Sequence, residues 1–245
     1  MIRTYMNTIS SALLSAALVF ASSMALAENQ WEQKYSKEGI NIYTRTVEGA
    51  TLKAFKAQTV VNAPLQAVIN VLGDTENYGE WSHLCNSYEF IKEPNAEGEF
   101  VSYYTINAPW PLKDRDIYVQ NQISQDPNTL TVTLKVTGDA TYAPEEPGYA
   151  RVPEVSALWT ITPIDAQTTS IEMIGHAYPG GIIPVWVANM VVTDLPKRTF
   201  KSLHRVTEIA KERMQSQWNS TGEAPVESVF PNIKFANPLI GLLAE

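Results

Sequence analysis

PVWVANMVVTDLPKRTFKSLHRVTEIAKERMQSQW, residues 184–218, is the one long helical pattern in this chain of 245 residues. In its second half Phe200, Leu203, Val206, Thr207, Ala210 and Met214 recur with the period of an α-helix. Lys201, Arg205, Glu208, Lys211, Glu212 and Arg213 take the opposite side. A stripe of this kind has to be buried against another layer of structure. Pro196 lacks an N–H and clashes with the turn before it, which predicts a kink or a division there.

What precedes this helix is mostly strand. Residues 40–47 and 52–61 read as a hairpin around Gly49. Asn62-Ala63-Pro64 then opens a short helix, with Asn62 as its cap and Pro64 in its first turn. Leu65, Val68, Ile69 and Leu72 form its stripe and Gly73 stops it. Further strands are predicted over residues 81–91, 100–106, 116–123, 130–136, 152–164 and 168–177. Trp31 and Tyr35, at i and i+4, predict one or two helical turns over 31–38, ending at Gly39. Consecutive strands with short turns pair antiparallel. The fold class is therefore α+β: a curved antiparallel sheet wrapped around a long C-terminal helix, with an internal hydrophobic cavity between the two layers.

The ends of the chain read differently. Residues 1–27 have the form of a signal peptide: Arg3, a mostly apolar stretch from Ile9 to Phe20, and an Ala25-Leu26-Ala27 cleavage site. The domain is expected to span 28–218, in the periplasm or secreted, with a C-terminal tail over 219–245. Within that tail a Ser, Gly, Pro and Glu-rich linker leads to an apolar stretch, Phe230 to Leu243, which either docks on the body or stands free.

Composition removes several function classes. The net charge is -8, from 18 basic and 26 acidic residues, so the basic footprint of a nucleic-acid binder is missing. Three His and one Cys do not make a Cys/His metal site, and neither a metal nor a cofactor is expected. Cys85 stands two residues from His83, but nucleophilic catalysis also needs a third, orienting group, and no hydrolase, phosphate-loop or dinucleotide motif accompanies them. Both read as structural, and no catalytic residue is assigned.

Two strings carry a resemblance. Ala108-Pro109-Trp110-Pro111-Leu112-Lys113-Asp114-Arg115-Asp116 leads into a strand, and Gly180-Gly181-Ile182-Ile183-Pro184-Val185-Trp186-Val187-Ala188-Asn189-Met190 leads into the C-terminal helix. In these strings and in element order the chain resembles the START (StAR-related lipid-transfer) family in its secreted bacterial form, over about residues 30–215. The resemblance implies a helix-grip fold with a tunnel for one hydrophobic molecule: a lipid, fatty acyl chain, phospholipid or sterol-like ligand. It implies a carrier rather than an enzyme. A cyclase or hydrolase using the same cavity, or a protein-interaction module, are the alternatives.

Within that frame the candidate ligand-binding residues are Tyr104, Trp110, Tyr118, Trp159 and Met173 on strands and loops, and Trp186, Met190, Phe200 and Leu203 on the C-terminal helices. Only alternate strand residues face inward, so Tyr103 and Tyr104 cannot both line the cavity; Tyr104 is taken as the one that does. Arg115 and Asp116 are read either as a charge pair orienting the ligand or as a structural pair tying the 109–114 loop to the sheet, in a segment that looks solvated. Asn189 is a polar group at the cavity or a structural one. The apolar string 182–187 is a candidate lip for transient membrane contact, Trp186 suiting an interface.

Overall fold

The computed structural model describes residues 30–181, 184–221 and 228–235. The expected signal peptide, residues 1–27, lies outside the described residues, as do 236–245 of the tail.

The chain begins with a strand where a helical turn is predicted. β1 (Glu32–Lys37) pairs antiparallel with β2 (Ile40–Arg45), Lys37 lying opposite Ile40. Glu38 and Gly39 between them have φ of 55° and 72°, so they form the two-residue loop that matches the twist of a hairpin. Gly39 thus ends a strand rather than capping a helix, and the i, i+4 spacing of Trp31 and Tyr35 carries no helix. β3 (Ala54–Val61) completes the first meander. α1 (Leu65–Gly73) follows, with Pro64 itself in the cap position; its carbonyl accepts from the Ala67 and Val68 amides, and Asn62 does not cap.

β4 (Cys85–Lys92), β5 (Glu99–Ile106), β6 (Arg115–Gln125) and β7 (Val132–Gly138) form a second meander. β8 (Ala150–Arg151) is two residues long, pairs parallel with the start of β6 and leaves no signal in the sequence. β9 (Glu154–Pro163) and β10 (Thr169–Tyr178) join the halves, giving the order β1-β2-β3-β10-β9-β7-β6-β5-β4 in one open sheet. The register is irregular at both edges, between Gln33 and Tyr35 in β1, and between Cys85 and Ser87 and again between Phe90 and Lys92 in β4.

The C-terminal helix is divided just before Pro196. α2 (Val185–Asn189) passes through a π-helical turn, Met190–Asp194, into α3 (Leu195–Thr221). The wider turn accommodates a proline whose ring would otherwise crowd the carbonyl of Val192. It also resets the helical phase: Val187 and Val192, five residues apart, are the buried positions of this stretch. α1 and α3 lie on the concave face of the sheet. Between these layers Ile42, Val61, Val68, Ile69, Ile161, Ile171, Phe200 and Leu203 form one core. α3 runs three residues past the predicted end of the domain, and residues 228–235 come back to pack on the body, with Phe230 and Ile233 buried in the same core.

Candidate functional site

A cavity of about 170 Å³ lies between the sheet and the start of α3. Strand alternation sets most of its walls, except near one end, where the consecutive residues Val155, Ser156 and Ala157 of β9 and Gly175, His176 and Ala177 of β10 all border it. On β5, Phe100 and Tyr104 face it; on β6, Asn121; on β7, Leu134 and Val136; on β9, Ala157 and Trp159; on β10, Met173 and Gly175. Trp159 and Met173 are cross-strand partners, so two of the predicted residues meet side by side. The 78–83 segment closes one side with Tyr78, Trp81 and His83, and α3 supplies Leu195, Pro196 and Thr199.

No Asp, Glu, Lys or Arg lines this cavity among the described residues. Its polar groups are phenols, one amide, hydroxyls and imidazoles. The Tyr88 hydroxyl and Ser102 Oγ are 2.8 Å apart, and Asn121 Nδ2 donates to the same Ser102 oxygen at 3.1 Å. Tyr78 stacks on Tyr88 with ring centroids 3.8 Å apart. Burial pushes the Tyr88 phenol up to about 12 and raises those of Tyr78 and Tyr104 well above the usual phenol range, so all three stay neutral. Two buried nitrogens on the wall, Trp81 Nε1 and His176 Nε2, have no hydrogen-bond partner among the described residues. A neutral apolar ligand with one polar group fits this lining, because the unpaired nitrogens offer it a hydrogen bond and nothing offers it a counter-charge.

The other predicted residues stand elsewhere, each for a local reason. Tyr118 is on the outer face of β6, stacked on Tyr142 at 5.1 Å, because Asn121 and Ile123 set the inward parity of that strand. Trp110 is 89% exposed at the tip of the 107–114 loop. Trp186 is 51% exposed, Asn189 is exposed and Met190 half-buried, because the π turn rotates Val187 and Val192 inward in their place. Phe200 and Leu203 are wholly buried but sit one turn beyond the cavity; Phe200 stacks on the Trp159 wall at 5.9 Å. Arg115 and Asp116 are not a pair. The Arg115 side chain donates to the Pro179 and Lys113 carbonyls, whereas Asp116 is fully buried and bound by Arg151 at 2.8 Å. Tyr78, Trp81, Tyr88 and Phe230 are cavity residues that sequence reasoning missed. The first two lie in or beside what reads as a polar connector, and Tyr88 is distinguished only by its alternation with Phe90.

Arg115 has a different consequence. Its two acceptors belong to the 107–114 loop and to the segment leaving β10, so it ties together two loops at one end of the sheet. Exposed apolar side chains accompany both segments: Trp110 in the first, and Val185 (77% exposed) and Trp186 at the start of α2, just after the second.

Helix α3 is held over the sheet partly by polar contacts. His204 Nε2 shares a short hydrogen bond with Thr59 Oγ1, the His83 amide donates to Thr199 Oγ1 at 3.2 Å, and Lys201 pairs with Glu38. Burial lowers the affinity of His204 for a proton; burial, then the nearby Arg198, does the same for His83. Each folded-state value lies below the unfolded one, so the unfolded chain binds more protons as the pH falls and stability is lost in that direction. The melting temperature is expected to drop between about pH 7 and about pH 5, the range in which an ordinary histidine titrates. The drop should be shallower in His204→Gln; an identical pH profile would remove His204 as a cause.

An antiparallel sheet gripping a helix around a neutral apolar cavity defines a hydrophobic-ligand-binding protein of the helix-grip class. The chain belongs to the START family, whose domain profile matches residues 11–221. It is 30% identical to an uncharacterized protein of Pseudomonas aeruginosa, over 80% of this chain and 95% of that one. It is 25% identical to the phosphatidylcholine transfer protein of Bos taurus, over 67% of this chain and 78% of that one. The crystal structure of a STAR-related lipid transfer protein from Xanthomonas axonopodis superposes with a TM-score of 0.66 at 30% identity, covering 73% of this chain and 98% of that one.

Proposed function

We propose that the chain is an exported carrier that holds a single hydrophobic ligand in the cavity between sheet and helix and moves it through the periplasm. The observation that carries this reading is the lining: apolar and aromatic, with neutral polar groups and no charged side chain among the described residues. Each methylene buried in such a site contributes about 0.8 kcal/mol, so desolvation supplies the affinity and few polar contacts are needed. Its likeness to a phosphatidylcholine transfer protein and to a STAR-related lipid transfer protein supports the class of ligand, and the leader pattern at 1–27 supports export. The two lining groups suited to acid-base work, the His83 and His176 imidazoles, hydrogen-bond to no orienting carboxylate among the described residues, which favours carrying over chemistry.

The described state is a contracted one. A cavity of about 170 Å³ is below the ~300 Å³ at which pockets for drug-sized ligands begin, so loading a lipid moves α3 and the adjoining loops outward. Gly180 and Gly181, with φ of 77° and 70°, sit where that movement would hinge. The ion pairs of Lys201 with Glu38 and Arg205 with Glu80 are exposed, and contacts of that kind resist opening weakly. The Trp110 and Trp186 rim would meet the membrane during exchange, its apolar tips supplying the contact that an acidic protein lacks electrostatically.

Native mass spectrometry of the purified protein tests the carrier reading. A stoichiometric adduct of lipid mass that leaves on denaturation is expected. A bare protein that also fails to take up fluorescent fatty acids, phospholipids and sterols would overturn it. For the rim, the Trp110→Ala, Trp186→Ala double variant is expected to co-sediment with vesicles at least tenfold less, since each lost anchor removes about 2 kcal/mol of apolar burial; undiminished sedimentation would remove the rim from the exchange route.

A further inference from the structure

Residues 228–235 lie against the body at the end of the sheet opposite the 107–114 loop and Trp110. The register fixes this placement: Ile106 and Arg115 pair at the rim end of β5 and β6, and Glu99 and Gln122 at the far end, where this strap lies. Three hydrogen bonds fasten it there. Asn232 Nδ2 donates to the Ile123 carbonyl at 2.8 Å, the Lys234 amide donates to Gln125 Oε1 at 2.9 Å, and Gln125 Nε2 returns a bond to the Lys234 carbonyl at 2.8 Å.

One glycine makes room for it. A Cβ at Gly73 would lie 2.5 Å from Val229 Cγ2 and 3.1 Å from Phe230 Cε2. The first is closer than real Cβ contacts, so the end of α1 is shaped to receive the strap. Its Phe230 is 2% exposed, meets Phe100 with ring centroids 5.4 Å apart, and lines the same cavity as Tyr104 and Trp159.

We propose that the strap is the floor of the ligand cavity, and that Phe230 sets the depth an apolar chain can reach and hence the chain length the protein accepts. The inference rests on the carrier reading. A ligand entering from the rim with its polar end near Trp81 and His176 extends its hydrocarbon toward Phe100 and stops at the Phe230 ring. The selectivity is therefore written in a segment beyond the long helix, outside the sheet and helix that make the other walls.

The experiment compares the full-length protein with Phe230→Ala and Phe230→Leu, using saturated primary alcohols from octanol to octadecanol as neutral probes. For the unaltered protein, affinity should rise about fourfold with each added methylene, the fold-change one buried methylene supplies, and then flatten at the length that meets the floor. Phe230→Ala should bind the short alcohols equally well and move the break to longer chains, with Phe230→Leu between them. A break at the same length in all three proteins overturns the proposal while leaving the carrier reading intact. If Phe230→Ala does not fold, Phe230→Leu decides in the same way. If the unaltered protein binds none of the alcohols, the carrier reading fails for this ligand class and the floor fails with it.

Discussion

Replacing Arg151 with alanine is expected to cost about 3–5 kcal/mol, the range for stripping one partner from a buried ion pair. Few side chains here are as fully committed. Nε and Nη2 both donate to Asp116 Oδ2, at 3.0 and 2.8 Å, and the remaining donors reach the carbonyls of Ala140, Ala143 and Pro144. That uses every N–H of the guanidinium. Its face lies 4.9 Å from the centre of the Tyr118 ring. Without it a fully buried carboxylate faces no counter-charge, and three carbonyls of the 139–152 loop lose their donors. Measured by urea unfolding, the loss should take a large share of a total that for most domains is about 5–15 kcal/mol. Arg151→Lys should recover little, because a point charge cannot fork across four acceptors. A loss below about 1 kcal/mol would mean that this corner is solvated and the pair no more than a surface contact.

Phe200→Ala should be of similar size, about 3–5 kcal/mol for a fully buried aromatic, but its consequence reaches the cavity. The ring stacks on Trp159, which is itself wall, so deleting it opens space directly behind the ligand site. Small apolar molecules bind dry engineered cavities of this sort. A ligand at one hundred times its dissociation constant adds about 2.7 kcal/mol. Benzene or indole should therefore restore much of the lost melting temperature in Phe200→Ala and do little for Arg151→Ala. Equal responses of the two variants would show that the space behind Trp159 is not joined to the cavity.

Much of this architecture was legible because it rests on periodicity. The α3 stripe and the order of the long strands follow from spacing, which also says that only one of Tyr103 and Tyr104 faces inward without saying which. Tyr118 was misplaced although alternation argues against it: it shares its face of β6 with Asp116, Gln120, Gln122 and Ser124, and Ile117, Val119 and Ile123 take the other. What spacing does not show is that the 139–152 loop covers the outer face and buries Tyr118 and Asp116 there. Trp186, Asn189 and Met190 were misplaced by a π turn, which shifts helical phase without altering composition. The Asp116 partner was hidden more deeply still: Arg151 lies 35 residues away and is brought alongside by a two-residue parallel pairing. Phe230 sits in what reads as an accessory tail, and Gly73, the glycine that receives it, lies far from it in sequence, where it reads as a helix stop.

The open sheet also ends in two free margins, and their composition bears on crowding rather than on ligand. β1 presents Glu32, Gln33, Lys34, Ser36 and Lys37 along its length and carries one irregularity; β4 presents Asn86, Ser87, Glu89 and Lys92 and carries two. A straight, greasy outer strand would template the addition of a neighbouring molecule, and charge and interrupted register are the usual defences. On the carrier reading the greasy interior opens at a loop rim, away from the strand margins where one copy could zip onto the next.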